Sequence, residues 1–309
     1  MTHLEHEKEA GFTIVIPTYD RPEGLARCLD ALERVDYPRD RFEVIVVDDG
    51  GSTDLDAICA DPSRGIEVRL HRQENAGPAS ARNAGAAAAA FDTLVFIDDD
   101  CAPAPEYLRA FADELAKAPE SGLGGRTIGA LEDDIYSMTS QLLVSYLFEY
   151  YNTDPEDARF FTSNNLALPK HLFDEIGGFD TRFPIAAAED RDLCDRWVSR
   201  GFVLRFADEA LTHHYHHMTL RRFWRQHHNY GRGAAAYHRG RRERNEGPVK
   251  LEPLRFYWGL LTYPYREGQA RAFRMSMLMV VSQVANAWGF FKALILDRSP
   301  GDRPEIVQE

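Results

Sequence analysis

Cysteine is scarce in this sequence of 309 residues, and the few cysteines lie far apart. They are Cys28, Cys59, Cys101 and Cys194, and no two of them form a CxxC pair. This spacing argues against a disulfide framework and against a structural zinc site. The N-terminal segment MTHLEHEKEAG contains acidic residues and no apolar stretch, so it does not resemble a signal peptide. We therefore expect reduced thiols and a cytoplasmic location.

An excess of positive charge is also missing, because the net charge at pH 7 is −13. A general nucleic-acid binder needs a basic surface, so nucleic acid is not an expected partner. The patterns GxGxxG and GxxxxGK followed by Ser or Thr are absent, which argues against dinucleotide dehydrogenases and P-loop enzymes. The length and the hydrophobic content of 44% suit one large domain, or one domain with a substantial appendage.

The first hundred residues alternate between strand-like and helix-like segments. Short apolar runs predict four strands, at Phe12–Ile16, Glu43–Val47, Ile66–Leu70 and Thr93–Ile97. An amphipathic helix with Pro22 in its first turn follows the first run, and an alanine-rich helix begins at Pro78. Asp20 and Glu23 are spaced as a capping box for the first helix. This alternation predicts an α/β fold with a largely parallel sheet flanked by helices.

The later part of the chain is predicted to change character. Ser163–Leu168 indicates a short strand, and Glu189–Arg200 indicates a helix. Beyond Leu220 the sequence is typical of helices throughout, with a last apolar helix near Met275–Leu296.

Acidic residues follow two of the predicted strands at the point where each strand ends. Asp48 and Asp49 follow the second run, and Asp98, Asp99 and Asp100 follow the fourth. Ligands of such sheets bind beyond the carboxyl ends of the strands, so these acids should gather at one edge. Close carboxylates repel one another unless a cation or hydrogen-bond donors neutralise them, and oxygen ligands suit Mg²⁺ or Mn²⁺. A divalent-metal site is the natural hypothesis, and an aspartate-rich turn without a metal is the alternative.

Six stretches make the likeness to a known family specific. They are TIVIPTYDRP (13–22), FEVIVVDDGGSTD (42–54), ENAGPASARNAG (74–85), LVFIDDD (94–100), GGFDTRF (177–183) and AEDRDL (188–193). In this order the chain resembles the inverting glycosyltransferases of family 2 over about residues 12–215. The resemblance implies a GT-A fold, which is Rossmann-like, in residues 1–218, with a helical C-terminal extension in residues 219–309. One departure is the second glycine in DDGGS (48–52), where the family usually has one.

The resemblance implies a nucleotide-binding role for eight residues. They are Pro17, Thr18, Tyr19, Arg21, Asp49, Arg82, Asp98 and Asp99. Asp49 would accept a hydrogen bond from a base N–H, and Asp98 and Asp99 would organise the ribose side. Arg82 would face the nucleotide, although an ordinary exposed helical arginine is the alternative.

The resemblance also implies metal ligands for Mn²⁺ or Mg²⁺. Asp100 would bind the metal, and a histidine shortly after the catalytic base would complete its shell. Four histidines occur in THHYHHM (212–218), where His214 aligns best and His216 second. An independent metal site is the alternative, but no ordered acidic or thiol partners accompany these histidines.

The general base implied by the resemblance is Asp190, with Glu189 positioning the acceptor. Inversion needs a carboxylate that removes the proton of the acceptor hydroxyl as the new bond forms. A plain charged helix start, favoured by the helix dipole, is the alternative. Asp192 lies two residues further on and is expected to pack or to cap the helix.

Together these residues predict a metal-dependent inverting glycosyltransferase that uses a nucleotide diphosphate sugar, expected to be a UDP-sugar. The acceptor would be a glycan or a lipid-linked molecule of the cell envelope. A non-catalytic sugar-nucleotide binder is one alternative, although it would not need the base Asp190. A processive polysaccharide synthase is another. Such synthases carry several membrane spans and a QxxRW signature, whereas this chain shows no clear span and only a loose likeness at Arg222–Gln226.

The last predicted helix contains Met275–Phe291, a run of 17 residues without charge. A spanning helix needs roughly 20 apolar residues, so this run is predicted to lie on a membrane and not to cross it. Its apolar face comprises Met277, Val281, Val284, Trp288, Phe291 and Ile295. Basic residues flank the run, namely Arg271, Arg274, Lys292 and eight arginines from Arg221 to Arg244. We expect a peripheral contact with the inner face of the cell membrane; packing on the catalytic domain or on a second copy, as a homo-oligomer, is the alternative.

Overall fold

A computed structural model describes residues 9–183, 185, 187–247 and 252–296 of the chain. A curled sheet of eight strands forms its centre. The strands are β1 (Phe12–Thr18), β2 (Phe42–Asp48), β3 (Val68–Arg72), β4 (Thr93–Ile97), β5 (Cys101–Pro103), β6 (Gly122–Gly129), β7 (Asn165–Pro169) and β8 (Leu204–His214). They lie side by side in the order β3-β2-β1-β4-β7-β6-β8-β5.

One half of the sheet is parallel and the other half is mixed. β1 pairs in parallel with β2 and β4, and β2 pairs in parallel with β3. β7 runs antiparallel to both β4 and β6, β8 is parallel to β6, and β5 is antiparallel to β8. The predicted largely parallel sheet is confirmed. β1 and β2 are buried almost throughout, because strands of a parallel sheet are covered on both faces.

The strand predictions differ most at the edge of the sheet. The predicted strand Ile66–Leu70 lies instead at Val68–Arg72, where it pairs with β2 alone. An edge strand accepts polar side chains on its open sides, so its end is not marked by a loss of apolar residues. The strand predicted at Ser163–Leu168 is likewise found slightly later, at Asn165–Pro169.

Ten α-helices occur in the described part of the chain. They are α1 (Pro22–Leu32), α2 (Asp56–Cys59), α3 (Pro78–Ala87), α4 (Tyr107–Lys117), α5 (Ile135–Tyr151), α6 (Lys170–Glu175), α7 (Glu189–Ser199), α8 (Leu220–Glu243), α9 (Leu254–Arg266) and α10 (Ala272–Leu296). α1 and α4 pack on one face of the sheet, and α3, α6 and α7 pack on the other. All four cysteines are free and buried, in agreement with the prediction of reduced thiols.

The predicted capping box of α1 is wrong. Asp20 has a left-handed backbone conformation, with φ at 49°. Its carboxylate accepts hydrogen bonds from the backbone N–H groups of Ser52 (2.7 Å) and Thr53 (2.9 Å), while α1 begins at Pro22 without a side-chain cap. Asp20 therefore fixes the glycine-containing loop after β2 and not the start of the helix.

In the described residues after 219 the structure contains three helices, α8, α9 and α10, as the prediction of a helical extension requires. α10 packs on α8, α9 and α5. Five of the six residues of the apolar face predicted for it are exposed, among them Trp288 (63% accessible) and Phe291 (60%), whereas Val281 is half-buried. Packing of this face on the catalytic domain, one of the two alternatives, is therefore wrong. The proposed boundary between residues 218 and 219 stays a prediction.

The expectation that the last helix is too short to span a membrane needs a correction. Among the described helices, one segment, Ala272–Ile295, has the length and the apolar composition of a spanning helix. The helix continues past the charged residues Arg274 and Lys292, so it is longer than the charge-free run. Length alone therefore does not decide how this helix would meet a membrane.

Candidate active site

The three aspartates after β4 lie beside the loop that follows β1. Thr18 Oγ1 donates a hydrogen bond to the Oδ2 atom of the buried Asp99 (2.7 Å). The half-exposed Arg21 donates from Nη1 to Asp99 Oδ1 (3.1 Å) and to Asp100 Oδ2 (3.2 Å). Burial raises the pKa of Asp99 to about 7, although Arg21 opposes this shift. Residues that follow two different strands thus meet at one edge of the sheet.

Asp100 and two histidines form a cluster with the geometry of a metal site. β5 pairs Cys101 with His214, which places the end of β8 beside Asp100. His214 Nε2 lies 3.3 Å from Asp100 Oδ1, and His216 Nδ1 lies 3.2 Å from Asp100 Oδ2. One ligand atom from each residue lies within 4.8 Å of the others. Burial alone would raise the pKa of Asp100, but His214, His216 and Arg21 hold it well below its usual range.

The surroundings of His214 favour a cation at this cluster. Gln141 on α5 donates from Nε2 to the carbonyl of Thr127 (2.8 Å), so its Oε1 faces His214 Nδ1 (3.5 Å). His214 Nε2 faces the buried Asp100 Oδ1. Burial opposes the shift, but the Asp100 carboxylate raises the pKa of His214, so a proton or a cation is favoured between the two atoms. Two acceptors that face each other need a proton or a cation between them. Asp100, His214 and His216 therefore fit a divalent metal.

Arg82 links this region to a second pair of acids. Its side chain is 3% exposed and leaves α3 between two carboxylates. Nη2 donates to Asp98 Oδ1 (2.8 Å), and Nη1 donates to Glu189 Oε1 (3.1 Å). The alternative of an ordinary exposed helical arginine is therefore wrong. One guanidinium thus binds two residues with different predicted roles. The resemblance assigns Glu189 to the acceptor and Asp98 to the nucleotide.

The second pair of acids begins α7. Ala188, directly before it, has a left-handed backbone with φ at 68°. Asp190 is partly buried and accepts a hydrogen bond from the backbone N–H of Arg191 (2.7 Å). Burial and the neighbouring charge of Glu189 raise the pKa of Asp190 to about 7. Asp192 differs, because it is fully buried and paired with Arg196 and Arg244 on α8, which suits the expected packing role.

The residues assigned to the nucleobase lie at the ends of β1 and β2. Pro17 and Tyr19 are partly exposed there. Asp49 is buried, and its Oδ1 accepts hydrogen bonds from Gln73 Nε2 (2.7 Å) and the N–H of Ala76 (2.9 Å). Its Oδ2 accepts only from the N–H of Gly77 (2.8 Å) among the described residues. The carboxylate is thus fixed, with one oxygen able to accept a further N–H.

Two residues near Asp190 are absent from the predicted set. Tyr230 on α8 is partly buried, and desolvation together with the charges of Asp190 and Glu189 raises its pKa. Gln226 donates from Nε2 to the hydroxyl of Tyr230, while its own Oε1 is buried without a hydrogen-bond partner in the described residues. The loose likeness at Arg222–Gln226 was the only sequence signal that touched this pair. Without the packing of α8, nothing in the sequence connects it to Asp190.

Comparison with known proteins identifies the family. Residues 13–177, just over half of the chain, match the family model described as glycosyl transferase family 2. The chain belongs to this family. The matched segment contains the acids after β2 and β4 and also Arg82, and it ends before Glu189, Asp190 and the two histidines of the metal cluster.

Curated proteins similar to this family 2 chain carry glycosyltransferase or synthase names. A pre-mycofactocin glycosyltransferase of Mycobacterium tuberculosis is 29% identical over 233 residues, which cover 72% of this chain and 46% of that protein. A hyaluronan synthase of Pasteurella multocida is 25% identical over 245 residues, which cover 68% of this chain and 25% of that protein. The chain thus spans less than half the length of these relatives.

Solved structures share the fold of this family 2 chain. The mannosyltransferase PcManGT of Pyrobaculum calidifontis, in complex with GDP-Man and Mn²⁺, has a TM-score of 0.61 and 18% identity, covering 96% of this chain and 78% of that one. S. aureus TarS 1–349, in complex with UDP-GlcNAc, has a TM-score of 0.56 and 14% identity, covering 93% and 91%. The likeness extends over nearly the whole chain, including the helices after residue 219.

Proposed function

We propose that this family 2 glycosyltransferase is a metal-dependent, inverting enzyme that takes its sugar from a nucleotide diphosphate sugar. The observation that carries the proposal is the contrast between two acids in one site. Asp100 lies against two histidines and Arg21, and its pKa is depressed. Asp190 has no cationic partner at such a distance among the described residues, and its pKa is raised to about 7. A depressed pKa suits a ligand, and a raised one suits a base.

Asp190 is the proposed general base. Its carboxylate removes the proton of the acceptor hydroxyl while that oxygen forms a bond to the anomeric carbon. The bond from the anomeric carbon to the diphosphate breaks at the same time, and the nucleoside diphosphate leaves with the electron pair. Attack from the side opposite the leaving group inverts the anomeric configuration. A base with a pKa near the working pH is suited to this transfer. Glu189, held by Arg82, is proposed to position the acceptor.

Asp100, His214 and His216 are the proposed metal ligands. A bound Mn²⁺ or Mg²⁺ would offset the charge that develops on the leaving diphosphate. Two imidazole nitrogens make Mn²⁺ the better fit, because Mg²⁺ demands oxygen ligands more strictly. Gln141 orients His214 from behind, as partners of metal-bound histidines commonly do. Mn²⁺ in the PcManGT complex supports this assignment.

The proposed donor is a UDP-sugar, bound by Pro17, Thr18, Tyr19 and Asp49 at the base and by Asp98 and Asp99 at the ribose. The free accepting capacity of Asp49 Oδ2 supports this role. The structural neighbours bind both a guanosine and a uridine sugar nucleotide, so the base needs a direct test. The proposed acceptor is a glycan or a lipid-linked molecule.

The deciding experiment measures thermal unfolding with a panel of UDP-, GDP- and dTDP-sugars, each with Mn²⁺, with Mg²⁺ and with chelator. A ligand that binds only the folded state raises the unfolding temperature. We expect a UDP-sugar with Mn²⁺ to give the largest increase. Absence of stabilisation by every donor would contradict the proposal, and equal stabilisation with chelator would contradict its metal dependence. Slow hydrolysis of the donor without acceptor separates a transferase from a non-catalytic binder.

A further inference from the structure

The outer face of α10 is an unpartnered apolar surface. We define this outer face as Phe273, Met277, Val280, Val284, Trp288, Phe291 and Ile295. Successive members are three or four residues apart, so they form one stripe along the helix. Each is between 40% and 70% exposed, and α9 next to it exposes Leu254 and Trp258. Apolar surfaces of this extent on a folded protein usually mark an interaction site.

The opposite face of α10 is locked to α8 by two glycines. A Cβ atom added at Gly231 of α8 would lie 1.9 Å from the carbonyl oxygen of Asn286. A Cβ atom added at Gly289 of α10 would lie 1.9 Å from the carbonyl oxygen of His228. The two helix backbones therefore touch, and α10 cannot turn this face towards another partner without leaving α8.

This lock argues against a transmembrane position for α10. A spanning α10 would carry α8 into the bilayer, and α8 contains eight arginines from residue 221 to its C-cap Arg244. Charged side chains are strongly unfavourable in the hydrocarbon region of a bilayer. A helix that lies along the surface exposes only the outer face to lipid and leaves α8 in water.

The distribution of charge along the chain favours an anionic surface, and not a second copy of the chain, as the binding partner of the outer face. Residues 219–309 contain 16 Lys and Arg against 8 Asp and Glu, whereas residues 1–218 contain 20 against 41. Two copies that met through the outer face would bring two positive segments together. An anionic surface would instead attract this segment and repel the acidic part with the sheet. Arg274 and Lys292, exposed on α10 itself, lie at the two ends of the apolar stripe.

We propose that the outer face of α10 binds an anionic lipid surface, with the helix axis lying in the interface. Buried apolar area and attraction of the basic residues to anionic headgroups both contribute to such binding. A polyanionic glycan could attract the basic residues, but it offers no apolar phase for Trp288 and Phe291. The chemistry of the surface therefore fits lipid.

α8 connects the lipid-binding face to the catalytic residues. A Cβ atom at Gly233 of α8 would lie 2.3 Å from the carbonyl oxygen of Ala187, three residues before Asp190. The same helix carries the partly buried Tyr230, which interacts electrostatically with Asp190. The helix that holds α10 thus also touches the segment that bears the base. If the proposed function holds, docking through α10 would keep the acceptor side of the site close to the membrane, as a lipid-linked acceptor requires.

The test is flotation of the full chain with vesicles of phosphatidylcholine alone and with vesicles that also contain phosphatidylglycerol. We expect flotation with the anionic vesicles, and a decrease at high salt. Trp288→Ser combined with Phe291→Ser should reduce binding by tenfold or more, on the order expected for losing two buried aromatic side chains. Val203→Ser, a change of an exposed apolar residue outside α10 (40% accessible), is the control and should leave binding unchanged.

A separate substitution tests the electrostatic contribution to vesicle binding. Arg274→Glu should weaken binding to anionic vesicles severalfold, and Arg34→Glu, which changes the net charge equally at an exposed position on the sheet side, should not. Vesicle-indifferent wild-type protein would overturn the proposal. If bound protein resists extraction with alkaline carbonate, α10 spans the membrane and the proposal is wrong. If the protein does not bind vesicles but forms a dimer in solution, and the double α10 variant abolishes that dimer, a second copy covers the outer face instead of lipid.

Donor-induced thermal stabilisation is measured for every variant in parallel. It should be unchanged by the α10 substitutions, because they lie on the far side of α8. If wild-type protein binds the donor but does not float with vesicles, the lipid proposal is wrong and the proposed function is unaffected. Loss of donor binding in wild-type protein concerns only the proposed function.

Discussion

Two pairs of adjacent acids in this protein experience opposite environments. Asp99 and Asp100 follow a strand and share Arg21, and Asp100 also faces two histidines. Glu189 and Asp190 begin a helix, and Arg82 pairs with Glu189 and Asp98 but forms no ion pair with Asp190 among the described residues. Asp100 is thereby kept ionised, whereas the pKa of Asp190 rises to about 7. Asp99 shares Arg21 but its pKa is also raised to about 7, so the two histidines, and not Arg21, distinguish Asp100 from the other acids.

The strongest test of this difference is Asp190→Asn. The amide cannot accept the acceptor proton, so turnover should fall on the order of 10²–10⁴-fold, the usual value of a positioned base. Donor affinity should stay the same, because Asp190 lies outside the predicted nucleotide and metal sites. Steady-state kinetics and calorimetry measure the two quantities. A folded variant with near-normal turnover would transfer the role of base to Glu189, because Asp192 is fully buried and paired with Arg196 and Arg244.

Asp100→Ala tests the other side of the comparison. Removing the carboxylate that both histidines face should weaken Mn²⁺-dependent donor binding on the order of 10²-fold, at or above the loss typical of altered supporting residues. Asp99→Ala should cost less, because Asp99 binds Thr18 and Arg21 and contacts no histidine. His214→Ala and His216→Ala should show intermediate losses. Calorimetry with Mn²⁺ and with chelator measures the effect, and equal losses for Asp99 and Asp100 would refute the assignment.

The pH dependence of turnover tests the raised pKa of Asp190. The base works only when deprotonated, so the turnover number should rise about tenfold between pH 6 and pH 8 and then level off. Residual activity of Asp190→Asn should lack this rise. The stability effect has the opposite sign. The pKa of Asp190 in the folded state exceeds the ordinary aspartate value of 3.8, so the favourable contribution of Asp190 at low pH is lost as the pH rises through about 7. A flat rate profile would contradict the environment described for Asp190.

Arg21→Gln should have the smallest effect, and it should be a gain. Arg21 shares Asp100 with the metal site, and removal of its charge frees the carboxylate for a cation. Because Arg21 is half-exposed, we expect only a two- to fivefold tighter Mn²⁺ affinity, roughly the value of an exposed ion pair. Titration of Mn²⁺ without donor, by electron paramagnetic resonance, measures it. Arg34→Gln is the control, and a weaker Mn²⁺ affinity in Arg21→Gln would show that Arg21 supports the metal.

The sequence predicted the parallel half of the sheet better than the mixed half. β1, β2 and β4 are apolar β-branched runs that helices cover on both sides, so composition marks them. β6 contains four glycines in GLGGRTIG, and β8 has an irregular pairing with it near Gly125 and Arg126. Neither has a clear period, and no strand was predicted for either.

The site residues likewise differ in how well the sequence predicts their contacts. The acids after β2 and β4 could be predicted to converge, because parallel strands end at the same edge. The bond from Arg82 to Glu189 joins residues 107 positions apart, and Asp20 binds a loop rather than the adjacent helix. Such contacts depend on how helices pack on the sheet, which a single sequence does not state. The resemblance assigns Glu189 and Asp190 to the site. Only the structure shows that Glu189 pairs with Arg82, whereas Asp190 forms no ion pair among the described residues.

The left-handed backbone of Ala188 has a consequence for the acids that follow it. A residue with a side chain reaches this conformation at a cost of roughly 1–2 kcal/mol, and surrounding structure must enforce it. Here the chain bears that cost when it folds, before any acceptor arrives. The backbone that carries Asp190, the proposed base, is therefore fixed before an acceptor binds. Because the loss of backbone freedom occurs during folding, it does not add to the entropic part of the activation barrier of the chemical step.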